Sequence, residues 1–169
     1  NLDAKYKGGE IIKDLLKIFS KKLDGKDKIN LVTFGRKNSF NIKIDKIKWT
    51  HLGQINNDLK LNTLYRSADL MLSPSIGCNG PHMVVEAIYN DLPVIAFDQG
   101  VAMDAILNGI NGFKVKCFDK ETYAQKIYES LFNFEFNFNS DININLKKKF
   151  SSSNEANEII NISTNDLKV

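Results

Sequence analysis

The sequence predicts an α/β fold in which a mostly parallel sheet is covered on both faces by helices. Three observations predict it. Short apolar, β-rich runs at residues 29–34, 70–72, 93–97 and 113–117 read as buried strands. Segments with helical spacing of apolar residues alternate with them. Glycine or small-residue stretches follow the strands, at Gly35, Gly53, 73–81 and 98–100. In open α/β sheets, ligand loops occupy those positions, beyond the C-terminal strand ends.

The elements follow in order. Ile11, Ile12, Leu15, Leu16, Phe19 and Leu23 form one apolar face of a helix over 10–23, which Gly25 ends. After the strand at 29–34, residues 36–46 are polar, Lys-rich and too broken for a helix. Residues 46–52 alternate weakly and read as a strand closed by Gly53. Asn56 and Asn57 are N-cap candidates for a helix to Ser67, with Leu61, Leu64, Tyr65 and Ala68 inward. A helix over 81–90 starts on Pro81, where a missing N–H costs nothing. A short helix over 101–107 and a longer one over 120–132, with Tyr123, Ile127 and Leu131 on one side, complete the alternation. Residues 133–145 alternate Phe or Ile with polar residues and read as an irregular connection or a short amphipathic piece. Ser151 to Ser153 would cap a last helix over 154–162. The division expected is a domain at 1–133 and an extension at 134–169.

The 169 residues suffice for one core, and 43 % apolar with 25 % charged residues is an ordinary globular balance. A net charge of +3 and a pI near 8.7 are too weak to argue for nucleic acid. Two isolated cysteines, Cys78 and Cys117, fit a reducing compartment better than a disulfide framework. With no spanning segment or signal-peptide pattern, the expected place is the cytoplasm, with peripheral contact at the inner face of a membrane left open. Lys147, Lys148 and Lys149 are a weak signal for anionic lipid.

The stretch from Ser73 to Ala87 carries the most chemistry. It joins a strand to a helix through small residues, and sets Glu86 a turn or so into that helix. Such a loop lets backbone approach a ligand, a helix N-terminus favours phosphate, and a carboxylate accepts hydrogen bonds from ribose hydroxyls. Among Met83, Val84, Val85 and Ala87, the Glu86 carboxylate needs partners; the plainer alternative is a solvated side of the helix. Lys7, ahead of Gly8 and Gly9, would set an ammonium at a helix start, or is one more surface lysine. Cys78 has no base beside it in sequence, His82 reads as a surface residue at a helix start, and His51 reads as a strand residue.

The order of these pieces resembles the C-terminal, donor-binding domain of the group 1 (family 4) glycosyltransferases with the GT-B fold. The residues that carry the resemblance are Lys7-Gly8, His51-Leu52-Gly53-Gln54-Ile55, Leu64-Tyr65-Arg66-Ser67-Ala68-Asp69, Ser73-Pro74-Ser75, Glu86-Ala87, Pro93-Val94-Ile95-Ala96-Phe97, Gly100 with Asp104, and Asn108-Gly109-Ile110-Asn111-Gly112-Phe113. The resemblance implies a Rossmann-like half of a GT-B fold. It assigns Lys7 to the leaving diphosphate, Gly53, Gln54 and Ile55 to the nucleobase, Glu86 to the ribose, and Cys78, Asn79, Gly80, Pro81, His82 and Met83 to the sugar and diphosphate. Pro81 has no amide, so its neighbours would supply the N–H donors. The family pairs two glutamates with seven residues between them; here Cys78 stands at the first position. Asn90-Asp91 replaces the family's small residue plus glycine, and Asp tolerates a left-handed helix end. The family's central first strand, acceptor domain and catalytic base are expected ahead of Asn1.

The implied function is the donor half of a retaining transferase acting in cell-surface polysaccharide or glycolipid synthesis. Its partners would be a nucleotide sugar and, through the acceptor domain, a glycan or lipid-linked acceptor. No metal and no cofactor beyond the donor substrate is implied, and activity is not expected of this half alone. The alternative is a degenerate domain that binds a partner without transfer, motivated by Cys78. A GT-B sugar epimerase is a third, weaker option.

Overall fold

The computed structural model describes residues 9–25, 27–35, 38–76 and 82–151. The chain runs α1 (Gly9–Ser20), β1 (Ile29–Thr33), β2 (Phe40–Ile44), β3 (Ile47–His51), α2 (Asp58–Ser67), β4 (Met71–Ser73), α3 (His82–Tyr89), β5 (Val94–Phe97), α4 (Val101–Ala105), β6 (Gly112–Val115), α5 (Lys120–Phe132) and α6 (Asp141–Lys149). The described strands form two three-stranded sheets, β1-β3-β2 and β4-β5-β6. Among the described strands pairing is parallel for β1–β3, β4–β5 and β5–β6, and antiparallel for β2–β3. Among the described residues β1 and β4 end their sheets, each parallel to its one neighbour.

The predicted class holds, and the physical reason is clearest at β5. All four of its residues are buried. Ile95 and Phe97 enter one core with Ile12, Leu15, Leu16 and Phe19 of α1, Ile47 and Trp49 of β3, and Tyr123 and Ile127 of α5. Val94 and Ala96 face the other core, with Tyr65, Val84, Ala87, Ile88 and Ala102. The side chains alternate between two apolar layers, so the strand shows no polar position. The first core draws on both sheets, and α1 and α5 lie together over it. Lys120 reaches Asp14 at 2.6 Å, and Lys22 donates to Gln125 at 2.8 Å, across that seam.

Several details differ from the expectations. Residues 38–46 hold no helix, as read, but they carry a strand that the reading did not assign: β2 lies there, hairpin-paired to β3 through Asp45 and Lys46, with Asp45 at φ 50. The first helix stops at Ser20, not at Gly25, and Leu23 stays buried in the turn that follows. Ala68 is not inward but caps α2 in an exposed position, its N–H donating to Tyr65 O. A helix, α6, begins within the stretch read as an irregular connection or a short amphipathic piece and runs beyond it, and Lys147, Lys148 and Lys149 form its last turn. The expected helix over 154–162 lies outside the described residues. The stand-in at Asn90-Asp91 behaves as anticipated. Asp91 takes φ 56, its N–H donates to Ile88 O, and the Leu92 N–H donates to Ala87 O, closing α3 as glycine ordinarily would.

The residues after α5 pack back on the sheet. Phe134 and Phe136 meet Phe113 of the edge strand β6 edge-on, at 5.1 and 5.7 Å. Asn111 and Asn143 are fully buried, and Asn111 Nδ2 donates to Asn143 Oδ1 at 2.9 Å. Lys147, in the basic turn, pairs with Asp91.

Candidate functional site

The loops after the strands are tied together in pairs. The Gly35 N–H donates to Gly53 O at 2.9 Å, which joins the ends of β1 and β3. Gln99 donates its side-chain amide to Ser75 O, joining the loops after β4 and β5. Gly53 is buried at φ 74, a conformation that favours glycine, so the chain turns there without a side chain in the way. Beyond it, Gln54 is exposed and Ile55 half-buried. They line an open groove of about 580 Å³ with Leu52, Asn56, Asn57 and the α2 residues Lys60, Thr63, Leu64 and Ser67. Asn57 caps α2 by accepting from the Lys60 N–H, which fixes one wall of the groove.

Glu86 lies in the second turn of α3, half-buried. Tyr65, 4 % exposed, donates its hydroxyl to Glu86 Oε2 at 2.7 Å. Burial pushes the Tyr65 hydroxyl's ionisation far up, and the Glu86 charge beside it adds to the effect. The hydroxyl therefore stays a donor. The carboxylate thus has the partner its apolar neighbours require, and the partner is a core tyrosine rather than water alone. His82 and Met83 open α3, both exposed. Lys7, Cys78, Asn79, Gly80 and Pro81 lie outside the described residues. The structure therefore places Glu86, His82 and Met83 on one helix and Gly53, Gln54 and Ile55 in the loop after β3. Tyr65, on the helix that follows that loop, reaches Glu86 on α3.

The tyrosine is the residue that reading the sequence overlooked. Its signal was present. An inward tyrosine needs a partner for its hydroxyl, and a carboxylate in an apolar turn needs a donor. His51 is, as read, a strand residue, 2 % exposed at the end of β3. Trp49 Nε1 donates to Thr33 Oγ1 at 2.8 Å, and that hydroxyl lies 2.9 Å from His51 Nδ1. Among the described residues no group of three or more His, Cys, Asp and Glu is placed to hold a metal ion, and no helix is long and apolar enough to cross a membrane.

The family model for glycosyl transferases group 1 matches residues 4–148. The chain belongs to the group 1 glycosyl transferases. The match takes in every described strand and nearly all of α6, so this family's pattern covers both described sheets and that helix. No curated protein sequence matches the chain. Solved structures of similar fold include Anabaena Alr3699/HepE in complex with UDP, at 17 % identity and TM-score 0.70, covering 96 % of this chain and 46 % of that one. The same protein in complex with UDP-glucose matches at 19 % identity and TM-score 0.70, with the same coverage. Sucrose-phosphate synthase (tll1590) from Thermosynechococcus elongatus matches at 20 % identity and TM-score 0.58, covering 76 % of this chain and 34 % of that one. This group 1 chain therefore spans less than half the length of these solved structures and has the fold of one half of them, a GT-B half.

Proposed function

We propose that this domain is the donor-binding half of a retaining glycosyltransferase that takes a nucleoside-diphosphate sugar and serves cell-surface polysaccharide or glycolipid synthesis at the cytoplasmic side of a membrane. The observation that carries the reading is Glu86: a half-buried carboxylate in the second turn of α3, the helix that follows the strand-to-helix loop, held by a core tyrosine. Membership of the group 1 family supports it, as do similar structures that hold UDP and UDP-glucose. In the proposed site Gly53, Gln54 and Ile55 meet the base, and Glu86 accepts from the ribose hydroxyls. Lys7 and the amides around Asn79, Gly80, His82 and Met83 meet the diphosphate without a metal. As the leaving diphosphate takes up negative charge, those donors stabilise it. The acceptor and the catalytic base belong to a second domain.

Calorimetric titration of the protein with UDP, ADP and GDP tests the donor site. Micromolar to millimolar binding of one of them, weakened about tenfold or more by Glu86→Gln, is the expected result. Absence of binding by all three would sink the reading. Cys78 favours a second reading, a domain that binds without transferring, since a thiol cannot stand in for a carboxylate that holds a sugar hydroxyl. Hydrolysis or transfer from a bound nucleotide sugar by the natural protein would exclude that reading.

A further inference from the structure

Glutamate is a poor recognition element unless something holds it. Its side chain has several rotatable bonds, and fixing it costs rotamer freedom. Here the fixing group is visible. The Tyr65 ring is packed in the core with Met71, Val84, Ala87 and Ile88, so its hydroxyl has one place to be. That hydroxyl carries one hydrogen, and it goes to Glu86 Oε2 at 2.7 Å. An O–H donor to a carboxylate at this distance is a strong, charge-assisted contact. It uses one lone pair of Oε2. Among the described residues no other side chain donates to this carboxylate, so its other lone pair and both of Oε1 can take donors that arrive with a ligand. Tyr65 stands on α2, whose Lys60, Thr63, Leu64 and Ser67 line the groove, and Glu86 in the second turn of α3, so the contact links the groove's helix to the motif helix.

We propose that Tyr65 is a positioning residue for ribose recognition: by holding Glu86 Oε2 it orients the carboxylate toward a vicinal hydroxyl pair, so that preference for ribonucleotides over 2′-deoxyribonucleotides depends on a hydroxyl that does not touch the ligand. The proposal rests on the donor-site reading above and deepens it.

The experiment measures the affinities of UDP, ADP and GDP, each against its 2′-deoxy counterpart, for the wild type, Tyr65→Phe, Glu86→Gln and the double variant. The wild type is expected to favour the ribose form of its nucleotide by about tenfold or more. Tyr65→Phe keeps the ring and its packing, so its melting temperature should stay within a few degrees of the wild type. Its ribose preference should fall to about threefold or less. In the Glu86→Gln background the same change should leave the preference where it is, because the group it orients is gone. A wild-type preference that Tyr65→Phe leaves intact overturns the proposal while the donor site stands. A wild type that binds but shows no preference overturns it as well. No binding by any nucleotide overturns both the donor site and the proposal. Should Tyr65→Phe not fold, Tyr65→Met, which fills the core without a hydroxyl, takes its place with the same expected loss.

Discussion

A methyl group on Gly112 would sit 2.0 Å from the Val94 carbonyl oxygen. That oxygen is backbone within the paired strand β5, so it has no side-chain freedom with which to move aside. Gly112→Ala is therefore expected to cost at least about 3 kcal/mol, read from thermal or urea unfolding. Gly25 is the control, with nothing within 4 Å of the same methyl. Gly25→Ala should be neutral or stabilising by up to about 1 kcal/mol, through the smaller freedom of the unfolded chain. Equal effects of the two substitutions would contradict the pairing of β6 beside β5. The Asn-Gly-Ile-Asn-Gly turn was visible in the sequence as a motif. The reason its last glycine cannot carry a side chain was not, because Val94 is eighteen positions away.

Elements differ in how plainly the sequence announced them, and the difference is physical. The run at β5 was legible because burial on both faces leaves only apolar residues. β2 was not, although Phe40, Ile42 and Ile44 alternate with Asn41 and Lys43. Its hairpin turn is Asp45-Lys46 rather than an Asn-Gly or Asp-Gly pair, and Ile42 is 44 % exposed, so neither turn chemistry nor burial marked it. α6 lacks an apolar stripe because a polar side chain docks it. Asn143 accepts from Asn111 and donates to Phe138 O at 2.9 Å, and Asn111 in turn accepts from the Leu107 N–H at 2.8 Å. Asn143→Ala should therefore cost about 1–3 kcal/mol, since it leaves the Phe138 carbonyl and one Asn111 donor without their partner. Amide exchange across 141–150 should quicken far more than across β5. Uniform quickening would mean that α6 does not open separately from the sheet. The contact between Tyr65 and Glu86 was hidden for another reason: each residue announces a need for a partner, but only the fold matches the two.

At the scale of the molecule, the question is what joins the two sheets. The shared core beneath α1 and α5 does so, and charged groups line the seam where those helices meet. Asp14 is held below its ordinary value of 3.8 by the hydrogen bond and charge of Lys120. Asp119, which caps α5, is lowered from 3.8 by the Thr122 N–H. Glu129 is lowered from 4.5 by its hydrogen bonds with Lys126 and Gln125, the latter also bonded to Lys22 of the turn after α1. Each folded-state value lies below the unfolded one. The unfolded chain therefore binds these protons first as pH falls, and the three groups stabilise the fold fully only above their ordinary values. Their contribution is lost as pH drops through the lowered values. The melting temperature should thus be flat from about pH 7 to about pH 5 and decline below about pH 4. Asp14→Asn should blunt the decline and lower the plateau only slightly, because the pair with Lys120 is largely solvated and screened. Exchange measured at pH 3 should show amides of α1 and α5 opening before those of α3, whose core contains none of the three carboxylates. If α3 opens first, the α1–α5 seam is not what acid weakens, and the two sheets are joined by the apolar core alone.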